Sequence, residues 1–249
     1  MTGVNALKLP AQESIHHNHR RTRDLYDRII ILKDMKAAKL GKDEVRQIYR
    51  KLAGSYDVWA NLAESKARKR SLQLADIHDG DAVLEVAVGT GFTFAEILKL
   101  NPSGRSEGID LTEEMLVRAR KRAERTGVSG YTLKVGDAYR LEFPDDTFDV
   151  VLNNYMFDLI PEEDFLPVLT EFKRVLKSGG KLVLASMTQG QNWFNQIWEG
   201  LYQINPALLG GCRGVYLQPY LGSAGFKDIC REYISQFMFP SEVLSAVKP

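Results

Sequence analysis

Apolar positions change their rhythm near residue 81. Before it they recur at helical spacing. Leu25, Tyr26, Ile29, Ile30 and Leu32 make one stripe, and residues 43–75 carry a second helical stretch through IYRKLAGSYDVWANLAE and SKARKRSLQLADI. After it, short unbroken apolar runs alternate with helical ones. Strands are predicted at 82–88, 106–110, 131–136, 148–153 and 181–187, with helices at 92–100, 113–126 and 163–177. Thr112 is placed to cap the second of these helices, Glu113 and Glu114 suit its first turn, and Gly127 suits its end. Residues 226–249 read as two more strands joined by a Phe-Pro-Ser turn, and residues 190–205 as a helical insertion before them. Strand and helix in alternation imply a parallel sheet with helices on both faces.

The chain therefore divides into a basic N-terminal extension with an amphipathic helix (1–45), a helical cap (46–80) and an α/β core (81–249) interrupted by the 190–205 insertion. Residues 20–42 hold eight Lys or Arg against three Asp, a composition suited to peripheral contact with an anionic membrane. The competing reading packs the same stripe on the protein's own body or on a twin subunit, as in a homodimer. Net charge is +1, and no long basic tract exists, so a nucleic-acid partner is not expected. The run KARKR reads as a solvated helix face. Cys212 and Cys230 belong to no CxxC or Cys/His pattern and fit a reducing cytoplasm. His16, His17 and His19 lack the carboxylate or cysteine that would complete a ligand set, so no metal is expected. No basic start with an apolar core opens the chain, and no apolar run is long enough to span a membrane, which together predict a cytoplasmic protein, peripheral at most.

Candidate chemistry gathers after the first strand. VLEVAVGTG places an acid, Glu85, inside an apolar strand that then breaks at Ala87, Gly89 and Gly91 into the helical run FTFAEILKL. Strand, glycine turn and helix form the front of a nucleotide-binding βαβ unit. A dinucleotide site would ask for GxGxxG, but Ala87 and Phe94 stand where two of those glycines belong. Nineteen residues past Gly91, Asp110 ends the second strand, where an acid can accept from a ribose diol; Asp137 ends the third and can accept from an adenine amino group. Three acids after three successive strands lie at the carboxyl ends, where parallel sheets bind ligands.

EVAVGTG, GIDLTEEML, GDAYRLEFPDDTFDVVLNN and RVLKSGGKLVL, in this order, resemble the class I S-adenosylmethionine-dependent methyltransferases over about residues 45–190. The nearest likeness is to the ubiquinone/menaquinone-biosynthesis C-methyltransferases and the bacterial phospholipid N-methyltransferases, which share a Tyr-Asp element matched by Tyr56-Asp57. The resemblance implies a Rossmann-like, doubly wound, mostly parallel seven-stranded sheet with an antiparallel edge strand, preceded by cap helices. It implies S-adenosyl-L-methionine as cofactor. Glu85, Ala87, Gly89 and Gly91 would line its methionine end under Tyr56. Asp110 would hold the ribose beside Leu111 and Met115, Asp137 and Ala138 would meet the adenine, and Asn153 would close the site. Glycine is common in the family where this chain has Ala87.

The implied reaction is methyl transfer by in-line displacement, and an apolar lid with the basic amphipathic N-terminal helix suits a small, amphipathic acceptor, quinone-like or lipid-like. Asn154, Tyr155 and Asp158 follow the fourth strand on the acceptor side, and Tyr155 is the candidate contact; His78 lies on the wrong side of the sheet to serve as a base. Trp193, Phe194, Trp198 and Tyr202 stripe the insertion. A non-catalytic cofactor-binding or partner-binding module on the same fold is the alternative.

Overall fold

The computed structural model describes residues 63–189, 212–237 and 239–249. The 20–42 stripe, the three histidines, residues 46–62 of the cap including Tyr56, and the 190–205 insertion lie outside the described residues.

Helix α1 (Ser65–Ala75) opens the described chain. Strands β1 (Ala82–Val86), β2 (Arg105–Asp110) and β3 (Tyr131–Val135) then alternate with helices α2 (Phe92–Leu100) and α3 (Glu113–Glu124). Strand β4 (Phe148–Asn154) leads through a 3-10 turn at Glu162–Asp164 into α4 (Phe165–Val175) and the long β5 (Leu176–Met187). A short helix α5 (Gln218–Ser223) precedes β6 (Lys227–Gln236) and β7 (Phe239–Val247). One seven-stranded sheet runs β3-β2-β1-β4-β5-β7-β6. Strands β1 to β5 are mutually parallel, and β7 runs antiparallel to both β5 and β6. The reversed strand thus lies one place in from the edge, with β6 outside it. The apolar rhythm anticipated a parallel sheet, and the family resemblance anticipated its Rossmann-like, mostly parallel seven-stranded form.

Burial explains the strand compositions. β1 and β4 are central and covered on both faces, so AVLEV and FDVVLNN are nearly continuous in apolar residues. β6 is an edge strand, largely accessible, and is correspondingly polar. The chain reverses at Phe237, and Phe239, Pro240 and Ser241 already belong to β7. The tail turn therefore precedes the Phe-Pro-Ser element rather than using it. A proline at the second position of β7 is tolerated there because pairing has only begun.

Helix α1 presents Ala67, Ser71 and Ala75, spaced four apart, as its buried face. Small side chains at this spacing let it lie close upon the sheet. The KARKR run does not form a solvated face throughout. Lys66 and Lys69 are exposed, but Arg68 turns inward to Glu64 at 3.0 Å and stacks 4.8 Å from the centre of the Phe92 ring. Arg70 clasps Glu232 of β6 with two 2.7 Å hydrogen bonds.

Candidate functional site

The strand register puts the candidate residues in one band. Val86 pairs with Ile109 and Asn153, and Asp110 pairs with Val135. Glu85, the Ala87–Gly91 turn, Asp110, Asp137 and Asn153 therefore meet along the carboxyl ends of β1 to β4.

The turn is held in a conformation its residue types only partly favour. Gly89 (φ 55°) and Gly91 (φ 82°) are left-handed, and so is Ala87 (φ 58°). Ala87 takes this conformation at a cost of roughly 1 kcal/mol, which explains why glycine is at home there. Gly91 has no substitute, since a Cβ would stand 2.8 Å from Ala119 Cα. Its missing side chain lets α3 pack against the start of α2.

Asp110 ties the turn to β2. Its Oδ2 accepts from Gly89 N–H at 2.8 Å, and Oδ1 accepts from Thr112 N–H and Thr112 Oγ1, both at 2.9 Å. Thr112 is the N-cap residue of α3, but its hydroxyl turns to Asp110 instead of capping the helix. The expected side-chain cap is thus replaced by a brace on the acid. A carboxylate accepts at about four positions. Gly89 and Thr112 fill three of them, and the Leu111 backbone N–H also favours the ionised form. Burial raises the Asp110 pKa, opposed by these donors at Thr112 and Gly89.

Glu85 is held differently. It is 2 % exposed, and its Oε2 finds no hydrogen-bond partner. Burial raises its pKa to about 8, against the opposing influence of Asn154, the Arg68 charge and Thr93. Asn153 is fully buried, donating from Nδ2 to Val86 O at 2.8 Å, while its Oδ1 lacks a partner. Orphaned acceptors of this kind mark places where a donor is to arrive. Leu111 is half-buried beside Asp110, and Met115 is buried in the first turn of α3. Asp137 Oδ1 accepts from Tyr139 N–H at 3.2 Å, Ala138 is buried behind it, and Tyr139 donates to Asp164 at 2.6 Å.

After β4, Tyr155 sits in the left-handed region (φ 57°), and its hydroxyl is 2.8 Å from Ser241 Oγ inside the core. Burial raises its pKa well above the ordinary phenol value. The hydroxyl therefore cannot serve as a base near neutral pH. Asp158 is also buried, and burial raises its pKa to about 6, with Cys212, Met187 and Arg213 nearby as opposing influences. His78 is exposed ahead of β1.

Sequence reasoning did not reach Ser71 and Thr93. Ser71 lies on α1, 83 residues before Asn154, which it touches. Nothing in local pattern signals that contact, except that a polar residue occupies a stripe of small apolar ones.

Residues 83–180 match the family model described as a methyltransferase domain. A demethylmenaquinone methyltransferase of Bacillus cytotoxicus is 29% identical over 153 residues, covering 59% of this chain and 64% of the relative. The match thus spans less than two thirds of the curated relative's length. Among solved structures, a chain of the complex between the Haloferax volcanii Trm112 methyltransferase activator and a methyltransferase superposes with a TM-score of 0.66 at 20% identity, covering 82% of this chain and 97% of that one. The cyclase SpnF superposes with a TM-score of 0.67 at 19% identity, covering 86% and 98%. At such identities the superpositions establish the fold.

Proposed function

We propose that this chain, whose residues 83–180 match a methyltransferase domain, is a class I S-adenosylmethionine-dependent methyltransferase that transfers a methyl group to a small amphipathic acceptor by in-line displacement. The observation that carries this reading is the band of groups at the carboxyl ends of β1 to β4. There, a left-handed glycine turn, two buried orphan acceptors at Glu85 and Asn153, and the braced carboxylate of Asp110 stand together. A methionine ammonium answers the Glu85 orphan, the open turn accepts a ligand's close approach, and the Asp110 carboxylate can accept from a ribose hydroxyl. Met115, Leu111, Asp137 and Ala138 would border the adenine, and Tyr56 would cover the methionine end.

Bound S-adenosylmethionine supplies a methyl group already activated by its sulfonium. The protein's part is to hold, align and exclude water, which accounts for roughly 7–11 kcal/mol of barrier in well-positioned reactions. Glu85 and Asp110 hold the two ends of the cofactor. Tyr155, with its hydroxyl bound to Ser241, offers its ring rather than a base to the acceptor side. A quinone-like acceptor is supported by relatives named for demethylmenaquinone. No described helix is long and apolar enough to cross a membrane. Peripheral contact through residues 20–42 would deliver a lipid-like acceptor.

Titration calorimetry with S-adenosylmethionine and S-adenosylhomocysteine tests the reading. Micromolar binding, weakened tenfold or more by Asp110→Ala (about 1.4 kcal/mol), supports it. Absence of binding, or binding of NADH in its place, overturns it. An acceptor screen with quinone-like and water-soluble compounds then separates an enzyme from a silent binding module.

A further inference from the structure

Helix α1 reaches the cofactor band through a line of polar side chains, buried at Ser71 and Thr93 and half-buried at Asn154. Ser71 is fully buried between Ala67 and Ala75. Its Oγ lies 2.9 Å from Asn154 Oδ1 and 2.8 Å from the Arg68 carbonyl, sharing its proton between them. Asn154 Nδ2 in turn donates to Thr93 Oγ1 at 3.3 Å, and Thr93 is buried in the first turn of α2.

Strand register explains where this line leads. Glu85 pairs with Leu152 across the parallel β1–β4 ladder. Asn154 lies two residues beyond Leu152, so it projects from the same face as Glu85, one step nearer the carboxyl ends. Thr93 approaches that face from α2. Arg68, one turn before Ser71, contributes the positive charge nearest the acid, itself balanced by Glu64. Asn154 and Thr93 are the two side chains whose hydrogen bonding favours an ionised Glu85.

We propose that Asn154, fixed by Ser71, is a positioning residue that aims the Glu85 carboxyl at the cofactor's ammonium group, making α1 a working part of the cofactor site. The inference rests on the cofactor assignment above. A fully buried serine in a stripe of alanines stabilises little by packing. Its value lies in choosing one orientation for the Asn154 amide, and hence one arrangement of donors around Glu85.

Two ligands separate this role from a structural one. S-adenosylmethionine carries the amino acid moiety, and 5′-deoxy-5′-methylthioadenosine lacks it. Calorimetry on the full chain, wild type against Asn154→Ala and Ser71→Ala, should show S-adenosylmethionine weakened three- to tenfold and methylthioadenosine changed less than twofold. Asn154→Asp should fail to restore the affinity, since it removes the donor to Thr93. Equal losses for both ligands, or no loss for either, overturn the proposal. Should Asn154→Ala fail to fold, Ser71→Ala gives the same readout, because alanine favours the helix and fits the stripe. If the wild type binds neither ligand, the cofactor assignment falls first, and that result is distinct from every outcome above.

Discussion

Glu85 and Glu242 are both buried carboxyls whose pKa is raised chiefly by burial, and they stand three strands apart in one sheet. Glu242 is surrounded by donors. Leu217 N–H reaches its Oε1 at 3.0 Å, Arg231 Nε reaches Oε2 at 2.6 Å, and Thr188 Oγ1 lies 3.4 Å away. It fastens the segment 212–217, which also binds the loop after β4 and the end of β5 through Arg213 N–H to Asp158 O and Val215 N–H to Met187 O. Glu85 keeps an orphan oxygen and stands beside a turn with three left-handed residues. Burial alone therefore does not single out a working carboxyl. Glu85 differs from Glu242 in joining an unmet acceptor to a strained glycine turn, a combination that calls for an explanation beyond burial.

The sharpest way to break this contrast is to delete each acid. Glu242→Ala leaves Arg231 and the Leu217 N–H without their acceptor and should destabilise by about 3 kcal/mol, visible as a lowered denaturation midpoint. An unchanged midpoint would show that the return segment is held by its backbone contacts alone. Glu85→Gln should do the reverse. Near neutral pH the acid is mostly protonated, so the amide replaces a neutral group and stability should hold or rise. S-adenosylmethionine affinity should fall tenfold or more, about 1.4 kcal/mol, with methylthioadenosine unaffected. Loss of both ligands together would make Glu85 a structural residue like Glu242.

Proton linkage sharpens the same point. Glu85 has a pKa of about 8 in the folded protein against 4.5 as the ordinary value. Between these values the folded state keeps a proton that the unfolded state has lost. Stability is therefore fully present below the lower value and declines as pH rises through the window, by at most about 1.4 kcal/mol per pH unit. Asp158, raised to about 6, adds a like slope at lower pH. Denaturation midpoints across pH 6 to 8 should fall for the wild type and flatten for Glu85→Gln. An arriving ammonium group favours the ionised acid, so binding S-adenosylmethionine at pH 7 should release close to one proton, and methylthioadenosine none. Calorimetry in buffers of different ionisation enthalpy measures this directly, and zero release with both ligands would remove the ammonium–Glu85 contact. The smallest effect is expected at Ala87→Gly, which relieves a left-handed alanine and should stabilise by 1 kcal/mol or less. Destabilisation there would mean that the alanine methyl has a packing role that outweighs the strain.

Much of the core was readable from β1 onward because central parallel strands need apolar residues on both faces. The AVLEV and VVLNN runs therefore stand out against the helical spacing between them. The start of the site was readable for a related reason. A turn that must take left-handed backbone between strand and helix draws glycines, and an acid inside an apolar strand is costly enough to be noticed. Thr112 shows where such reading stops. Its position is that of a cap, but its hydroxyl had a choice between the helix end and Asp110, and only the fold decided it. Tyr155 shows the same limit, since its place after β4 is evident while its bond to Ser241, 86 residues on, is not.

By itself the sequence determined the order of strands and helices, the glycine turn and the set of acids at successive strand ends. These follow from local periodicity, backbone preference and the cost of burying charge, all of which act over a few residues. The tertiary structure alone decided where β7 inserts between β5 and β6. It also decided which buried carboxyl is satisfied and which is left open, and that Ser71 reaches Asn154. Those outcomes depend on donors and acceptors brought together from distant parts of the chain, where each side chain's partner is chosen by packing geometry rather than by its neighbours in sequence.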